Sequence, residues 1–370
     1  MLNELSIDKI LNKNRFARTE LVRLLSIDSR EEMQQLFGRA YAVKKKYVGT
    51  TVYLRGIIEL SNICKKNCYY CGIRKDNSKV ERYTMSAEEI IQSSKLAWQW
   101  GYGSIVIQSG EINSSSYTAF IEDIIYKIKD LSNKELGITL SLGEQDRDTY
   151  QRWYRAGAHR YLLRIETSDK KLYSSLHPEN HSYDRRLECL RMLGDIGYYT
   201  GTGVMIGLPG QTMDHLAQDI IFFKQMDIDM IGMGPYVPHH DTPLACKISD
   251  FSNIRRKQFE LALKMIAVTR LVLKDVNIAS TTALQALDDY GRELGLKAGA
   301  NVIMPNITDT RYRRGYLLYD DKPCLDENAS SSRIDLEERI ASIGEKIGYN
   351  NWGDSPHHDR KKAKQEDSSI

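Results

Sequence analysis

Residues 51–74 read TVYLRGIIELSNICKKNCYYCGIR, an apolar strand that runs straight into a polar loop with cysteines at 64, 68 and 71. Val52, Tyr53, Ile57 and Ile58 favour an extended strand over 51–59, and Asn62, Asn67 and Gly72 mark the loop after it. On the C-terminal side the alternation of short apolar runs with amphipathic stretches recurs, predicting strands at about 103–109, 137–142, 159–166, 201–207, 229–234, 277–282 and 300–304. Helical periodicity occupies 86–100, 116–131, 184–196, 212–226 and 251–273. Ser86 ahead of Glu88 and Glu89, and Thr212 ahead of Asp214, signal helix starts, while Gly101, Gly157 and Gly197 end helices just before strands. Eight strands separated by helices predict an α/β fold, a (β/α)8 TIM-type barrel over 51–319. Residues 1–50 precede it as a helical extension. Residues 320–370 follow as a partly flexible C-terminal tail, with one short helix at IDLEERIASIGEKIG between the polar stretches DENASSSR and HHDRKKAKQEDSSI.

Bulk composition narrows the function classes. Lys and Arg total 52 against 49 Asp and Glu, a net charge of +3, and no basic block precedes the last dozen residues, so nucleic-acid binding has no support. No apolar run reaches the roughly 18 residues that span a bilayer. The polar start MLNELSIDKILNKNR lacks the apolar core of a secretory signal, so a soluble cytoplasmic protein with no membrane partner is expected. Of the 6 cysteines three fall close together, which argues for one metal site in a reducing compartment rather than a disulfide framework.

The C-x3-C-x2-C spacing of Cys64, Cys68 and Cys71 suits a cubane cluster. Three thiolates hold three irons and leave the fourth open. Structural zinc instead takes four ligands and closes its site, whereas no fourth cysteine is near and the closest downstream histidine is His159. An open iron can chelate S-adenosylmethionine (SAM) through its amino and carboxylate groups. An electron passed to the sulfonium then cleaves a carbon–sulfur bond and releases a 5′-deoxyadenosyl radical. The three cysteines are therefore expected to be both the metal ligands and the catalytic centre, holding one 4Fe-4S cluster, with SAM as cofactor and the aromatic Tyr70 beside the third.

Barrel chemistry sits at the carboxyl ends of the strands. There this sequence places Gln108-Ser109-Gly110-Glu111, Ser141-Leu142-Gly143-Glu144, Arg164-Ile165-Glu166-Thr167 and Gly207 to Thr212. Gly110 and Glu111 can meet the amino group of a methionine moiety, and Arg186, on the following helix, can fork onto its carboxylate. Arg164 and Glu166, two apart on a strand, point to one side and flank the radical position, unless they simply pair with each other. A solvated helix face for Arg186 and a tight turn at Gly207 to Gly210 are the plainer readings. Tyr70, Gln108, Ser141 and Met205 complete the expected SAM contacts. In GMGPYVPHHDTPL, His239, His240 and Asp241 invite a metal, but adjacent histidines cannot easily face one ion from an extended strand. Met205, Met230, Met233 and Met304 also suit adaptable core packing.

Several blocks carry a family resemblance: KKYVGTTVYLRGIIELSNICKKNCYYCGIRKDN, IVIQSGE, TLSLGE, RYLLRIET, GVMIGLPGQT, DMIGMGPYVPHHDTPLA, ASTTAL and GANVIMPN. Over about 20–320 the chain resembles the HydE family of radical SAM maturases, which serve FeFe-hydrogenase assembly. More distantly it is similar to methylornithine synthase and biotin synthase, whose C-terminal barrel region is associated with biotin and thiamin synthesis. The resemblance implies a barrel with an internal cavity, a 4Fe-4S cluster, SAM, and work on the two-iron subcluster of the hydrogenase. The implied substrate is a small-molecule or organometallic species, a cysteine-ligated iron carbonyl–cyanide complex, with other maturases and a reductase or ferredoxin as partners. It assigns Arg164, Glu166 and Arg186 to SAM, and Thr139, Thr281, Thr282, Met304 and Tyr316 to the substrate cavity. Some members hold a second cluster on three C-terminal cysteines. Here only Cys324 remains, so one cluster is expected. The nearest rival is a radical SAM mutase acting on an amino acid or thiol metabolite.

Overall fold

The cysteine-bearing strand, β1 (Thr51–Ser61), is hydrogen-bonded on both edges, which is what closing a sheet requires. In chain order the others are β2 (Ser104–Ser109), β3 (Gly137–Ser141), β4 (Arg160–Leu162), β5 (Tyr199–Thr202), β6 (Met230–Ile231), β7 (Asn277–Ser280) and β8 (Val302–Ile303). Each pairs in parallel with its sequence neighbour, and β8 returns to β1 with Tyr53 opposite Val302 and Leu54 opposite Ile303. The computed structural model describes residues 6–248, 250–326 and 329–367, without the side chains of 329–332 and 364–367. Ile105, Val106 and Ile107 on β2 are all fully buried, because a parallel barrel covers both faces of every strand. Each such side chain contributes about 2 kcal/mol.

The helix signals work as read. Ser86 accepts from the Glu89 amide while the Glu89 carboxylate accepts from the Ser86 amide, starting helix Ala87–Gln99. At helix Met213–Gln225 the reciprocal partner of Thr212 is His215 rather than an acid. Gly157 (φ 118°) and Gly197 (φ 100°) stop their helices in the left-handed region.

Several strands end earlier than expected, two of them by four residues or more. β4 stops at Leu162 instead of 166, and Glu166, with φ 67°, regains only a single parallel bridge to Val204. β5 breaks after Thr202, and Met205–Ile206 pairs instead with Gly234–Pro235 as a two-stranded rim. Both departures lie at the carboxyl ends of the strands.

The tail does structural work in its described part. Helix Ala329–Ser342 starts and ends earlier than the expected 334–348, and Lys346–Ile347, expected within it, instead adds to the start of β1 opposite Thr51 and Val52. Residues 350–355 then stopper the amino-terminal end of the barrel. Asp354 binds the buried Arg160 (Oδ1 to Nε 2.9 Å and to Nη2 2.6 Å), and the Gly353 carbonyl accepts from Arg55 (3.1 Å) and Asn277 (2.7 Å). A second helix, Pro356–Asp367, turns His357 onto Asp227 and Lys361 onto Asp229, while Asp359 and Lys362 face solvent. Among the described residues no helix is long and apolar enough to cross a membrane.

Candidate functional site

The cysteine loop has no regular secondary structure, so side chains must satisfy its backbone. Arg82 gathers the carbonyls of Asn62 (2.6 Å), Ile73 (2.8 Å), Arg74 (2.7 Å) and Asn77 (3.1 Å) around one guanidinium. The loop is tied to the barrel mouth by Tyr69 N–H to Leu176 O (2.9 Å) and Gly72 N–H to Leu318 O (3.0 Å). A Cβ at Gly72 would fall 2.1 Å from the Leu317 carbonyl, so only glycine fits this approach. Cys64 Sγ accepts from the Lys66 and Glu111 amides at 3.4 and 3.3 Å. Burial and the neighbouring thiols push Cys68 up to about 12 and Cys71 well above its usual range, so three thiolates here need bound cations beside them.

Around the loop lies a charged rim. Glu144 receives Arg186 Nε (2.7 Å) and Lys66 Nζ (2.8 Å), and although burial opposes its charge, Arg186 and Lys66 hold its carboxyl down at about 2. Glu111 accepts the Glu144 amide (2.8 Å) and faces Lys66 at 3.5 Å, yet burial leaves its carboxyl above the usual range. Arg186 also donates Nη1 to the Arg164 carbonyl, and its Nη2 has no partner among the described residues. The solvated-face reading of Arg186 is overturned, since it is 7% exposed.

Arg164 and Glu166 do meet, Nη2 to Oε2 at 3.0 Å. Strand alternation is not the cause, as β4 has already ended. The positive φ at Glu166 turns its side chain, while its amide donates to Gly203 O and its carbonyl accepts from Met205 N. Arg164 Nε has no hydrogen-bond partner despite its burial.

The remaining expected residues spread around and below this rim. Tyr70 OH lies 3.4 Å from His177 Nε2, and Met205 packs with Leu172, Leu176, Leu208, Tyr236 and Leu244, against which Tyr70 also rests. Gly110 abuts the cysteine loop, where a Cβ would fall 2.3 Å from the Ile63 carbonyl and 2.7 Å from Cys64 Cβ. Gln108 Nε2 donates to Tyr316 OH (3.3 Å), and Ser141 ends β3, half-buried. Thr139 lies within β3 and Thr281 just after β7, and the buried Oγ1 of each lacks a partner. Thr282 opens the short helix after β7, and Met304 packs on Leu162, Tyr199 and Met230.

Four side chains beside the cysteine loop escaped the sequence reading. Glu144 and Lys66 stood in quoted segments without a role; their position shows only once β2, β3 and the loop converge. His177 and His181, spaced H-x3-H in SLHPENH, approach Cys68, with ligand atoms of all three within 4.8 Å of one another. At His239 and His240 the loop is not extended, and the rings stack at 4.7 Å. His240 is held between Asp320 (2.8 Å) and Asp241 (3.1 Å).

Comparison with known proteins agrees with this arrangement. A family profile described as the Radical SAM superfamily matches residues 58–223. The [FeFe] hydrogenase maturase subunit HydE of Thermotoga maritima is 45% identical over 343 residues, 93% of this chain and 95% of the relative. The chain belongs to the HydE family. It is therefore a radical SAM enzyme, of a family that carries a 4Fe-4S cluster and SAM. Beyond HydE proteins, 3-methylornithine synthase of Methanosarcina acetivorans is 28% identical over 91% of this chain and 89% of its own. Solved structures of methylornithine synthase (TM-score 0.75, 24% identity, 93% of this chain and 98% of that one) and of the maturase HydG from Carboxydothermus hydrogenoformans (TM-score 0.77, 20% identity, 94% and 82%) share the fold. The residues present fit both groups. Three thiols converge in one loop, and the buried Arg164 Nε and Thr139 Oγ1 have no partner, which a polar ligand would satisfy.

Proposed function

We propose that Cys64, Cys68 and Cys71 hold the 4Fe-4S cluster and that SAM lies across the rim beside it. Bound together, these two groups supply one-electron cleavage of SAM and a 5′-deoxyadenosyl radical. The protein's own residues bind and orient. Arg186 Nη2 is placed for the SAM carboxylate and Glu111 with Gly110 for its amino group, while Arg164 and Glu166 flank the sugar. Tyr70, Gln108, Ser141 and Met205 shape the remaining walls. Glu111 and Glu144 lower the local potential for cations, and Lys66 and Arg186 keep both carboxylates from disturbing the cluster.

Below the rim, Thr139, Thr281, Thr282, Met304 and Tyr316 contact the substrate. The enzyme works in the cytoplasm on a cysteine-ligated iron carbonyl–cyanide precursor of the FeFe-hydrogenase two-iron subcluster, with a partner maturase as supplier and a reductase or ferredoxin as electron donor. The observation that carries this reading is 45% identity to a HydE along nearly the whole of both chains. Anaerobic reconstitution should give a cluster whose signal responds to SAM and, after reduction, 5′-deoxyadenosine. Deleting the gene should leave the host's hydrogenase without its two-iron subcluster, and a deletion strain with normal hydrogenase would overturn the proposal. The relation to 3-methylornithine synthase favours, as second reading, a mutase acting on an amino acid; formation of a rearranged amino acid by the reconstituted enzyme would select it.

A further inference from the structure

Two histidines absent from the sequence reading press on the cysteine loop from segment 176–182. His181 is 8% exposed, and its Nδ1 lies 3.9 Å from Cys68 Sγ. Its other nitrogen, Nε2, is 3.3 Å from the backbone amide of Asn67. An amide N–H only donates, so Nε2 holds the lone pair and the ring proton sits on Nδ1, facing the sulfur. One imidazole thus bridges the amide of residue 67 and the thiolate of residue 68. The tautomer is set by the same loop that supplies the sulfur.

His177 obeys the same logic. Its Nδ1 is 2.8 Å from the Tyr173 carbonyl, which only accepts, so the proton is there and Nε2 accepts from Tyr70 OH at 3.4 Å. The ring is stacked on Tyr173 at 4.0 Å, fixing its plane. The alternative use of Cys68, His177 and His181 is a zinc-class site, since their ligand atoms lie within 4.8 Å. Such an ion would need a lone pair on His181 Nδ1. Supplying it requires the other tautomer and sacrifices the Asn67 hydrogen bond.

We propose that His181 donates an Nδ1–H hydrogen bond to the Cys68 thiolate of the cluster and thereby raises the cluster's reduction potential. The inference rests on Cys68 being a cluster ligand, as proposed above. Reduction adds negative charge that spreads onto the cluster sulfurs, and a donor aimed at one of them stabilises the reduced form more than the oxidised one. His181 is a positioning residue here: it touches the ligand, not the reacting atoms.

The test is the midpoint potential of the reconstituted cluster, measured by titration with electron paramagnetic resonance readout. His181→Leu removes the donor, and His181→Asn keeps an N–H near the place of Nδ1. The Leu variant should shift negative, with the reduced fraction at a fixed potential falling about tenfold, which is about 59 mV for one electron. The Asn variant should recover most of that shift. In the wild-type protein labelled with 15N-histidine, the reduced cluster should show coupling to one histidine ring nitrogen. That measurement needs no variant, so a Leu variant that fails to take up iron leaves the proposal exposed. An unchanged potential in His181→Leu, absence of the histidine coupling, or stoichiometric zinc held through the two histidines would each overturn it. A wild-type chain that takes up no cluster at all would instead sink the cluster assignment.

Discussion

Glu144 and Arg186 form a buried ion pair, Oε1 to Nε 2.7 Å, with both side chains less than a tenth exposed. It joins the end of β3 to helix Tyr183–Ile196 beside the cysteine loop. Lys66 still binds Glu144 once Arg186 is gone, so Arg186→Leu should cost the loss of one buried charged hydrogen bond, about 1–3 kcal/mol of folding stability. Urea denaturation measures this, and a loss below about 1 kcal/mol would show that the pair is more hydrated than its burial implies.

The same pair sets an acid limit. The Glu144 carboxyl sits at about 2 in the folded chain, against about 4.3 in an unfolded one. An acid depressed by folding stabilises above the unfolded value and loses that contribution as pH falls through the folded one. Thermal melts should therefore decline from about pH 4.5 toward pH 2, with Glu144→Gln showing a shallower decline across this window. Parallel pH profiles for the two proteins would refute the assignment.

Glu166 occupies a backbone region that favours glycine, with φ 67°. Replacing it by Ala keeps the strain, whereas Gly relieves it, so Glu166→Gly should be more stable than Glu166→Ala by about 1 kcal/mol. Both lose the Arg164 contact. Calorimetry ranks the two variants, and SAM binding measured by equilibrium dialysis should fall in both.

At Gly110 the limit is steric. A Cβ would meet the backbone of Ile63 and the side-chain root of Cys64, neither of which can swing aside alone. Gly110→Ala should displace the loop and lower iron and sulfide per chain after reconstitution, with little change in the barrel's circular dichroism. Full iron content would show that the loop tolerates the shift.

Asp354 neutralises Arg160, a guanidinium with no exposed side-chain surface. Asp354→Ala should cost about 3 kcal/mol or more in chemical denaturation, the penalty of an unpaired buried charge. Asn at this position should recover part of the loss by hydrogen bonding.

The barrel was legible because its strands are short apolar-rich runs and its helices carry explicit caps: Ser86 with Glu89, and Gly157 and Gly197 at positive φ, need no tertiary information. The cysteine motif was legible through spacing alone. The rim was only half legible. Glu111 stood out as a strand-end charge and Arg186 as a helix cation, yet the network they form with Glu144 and Lys66 joins residues 33 to 78 apart, which no local pattern encodes. The break at Glu166 was hidden for a different reason: RYLLRIET alternates like a strand, and only the Gly203 and Val204 backbone pulls residue 166 into its turn. His177 and His181 lay in a segment with no periodicity at all. Their meaning came from Asn67, Tyr70 and Tyr173.

The stopper formed by residues 350–355 has a kinetic side. With Asp354 and Gly353 locked onto Arg160, Arg55 and Asn277, the amino-terminal end of the barrel is shut, which leaves the carboxyl ends of the strands, where Glu111, Glu144, Arg164 and Arg186 lie, as the side for entry. Under the proposed placement of SAM at this side and of substrate at Thr139 and Met304, the deeper molecule loads first and departs last.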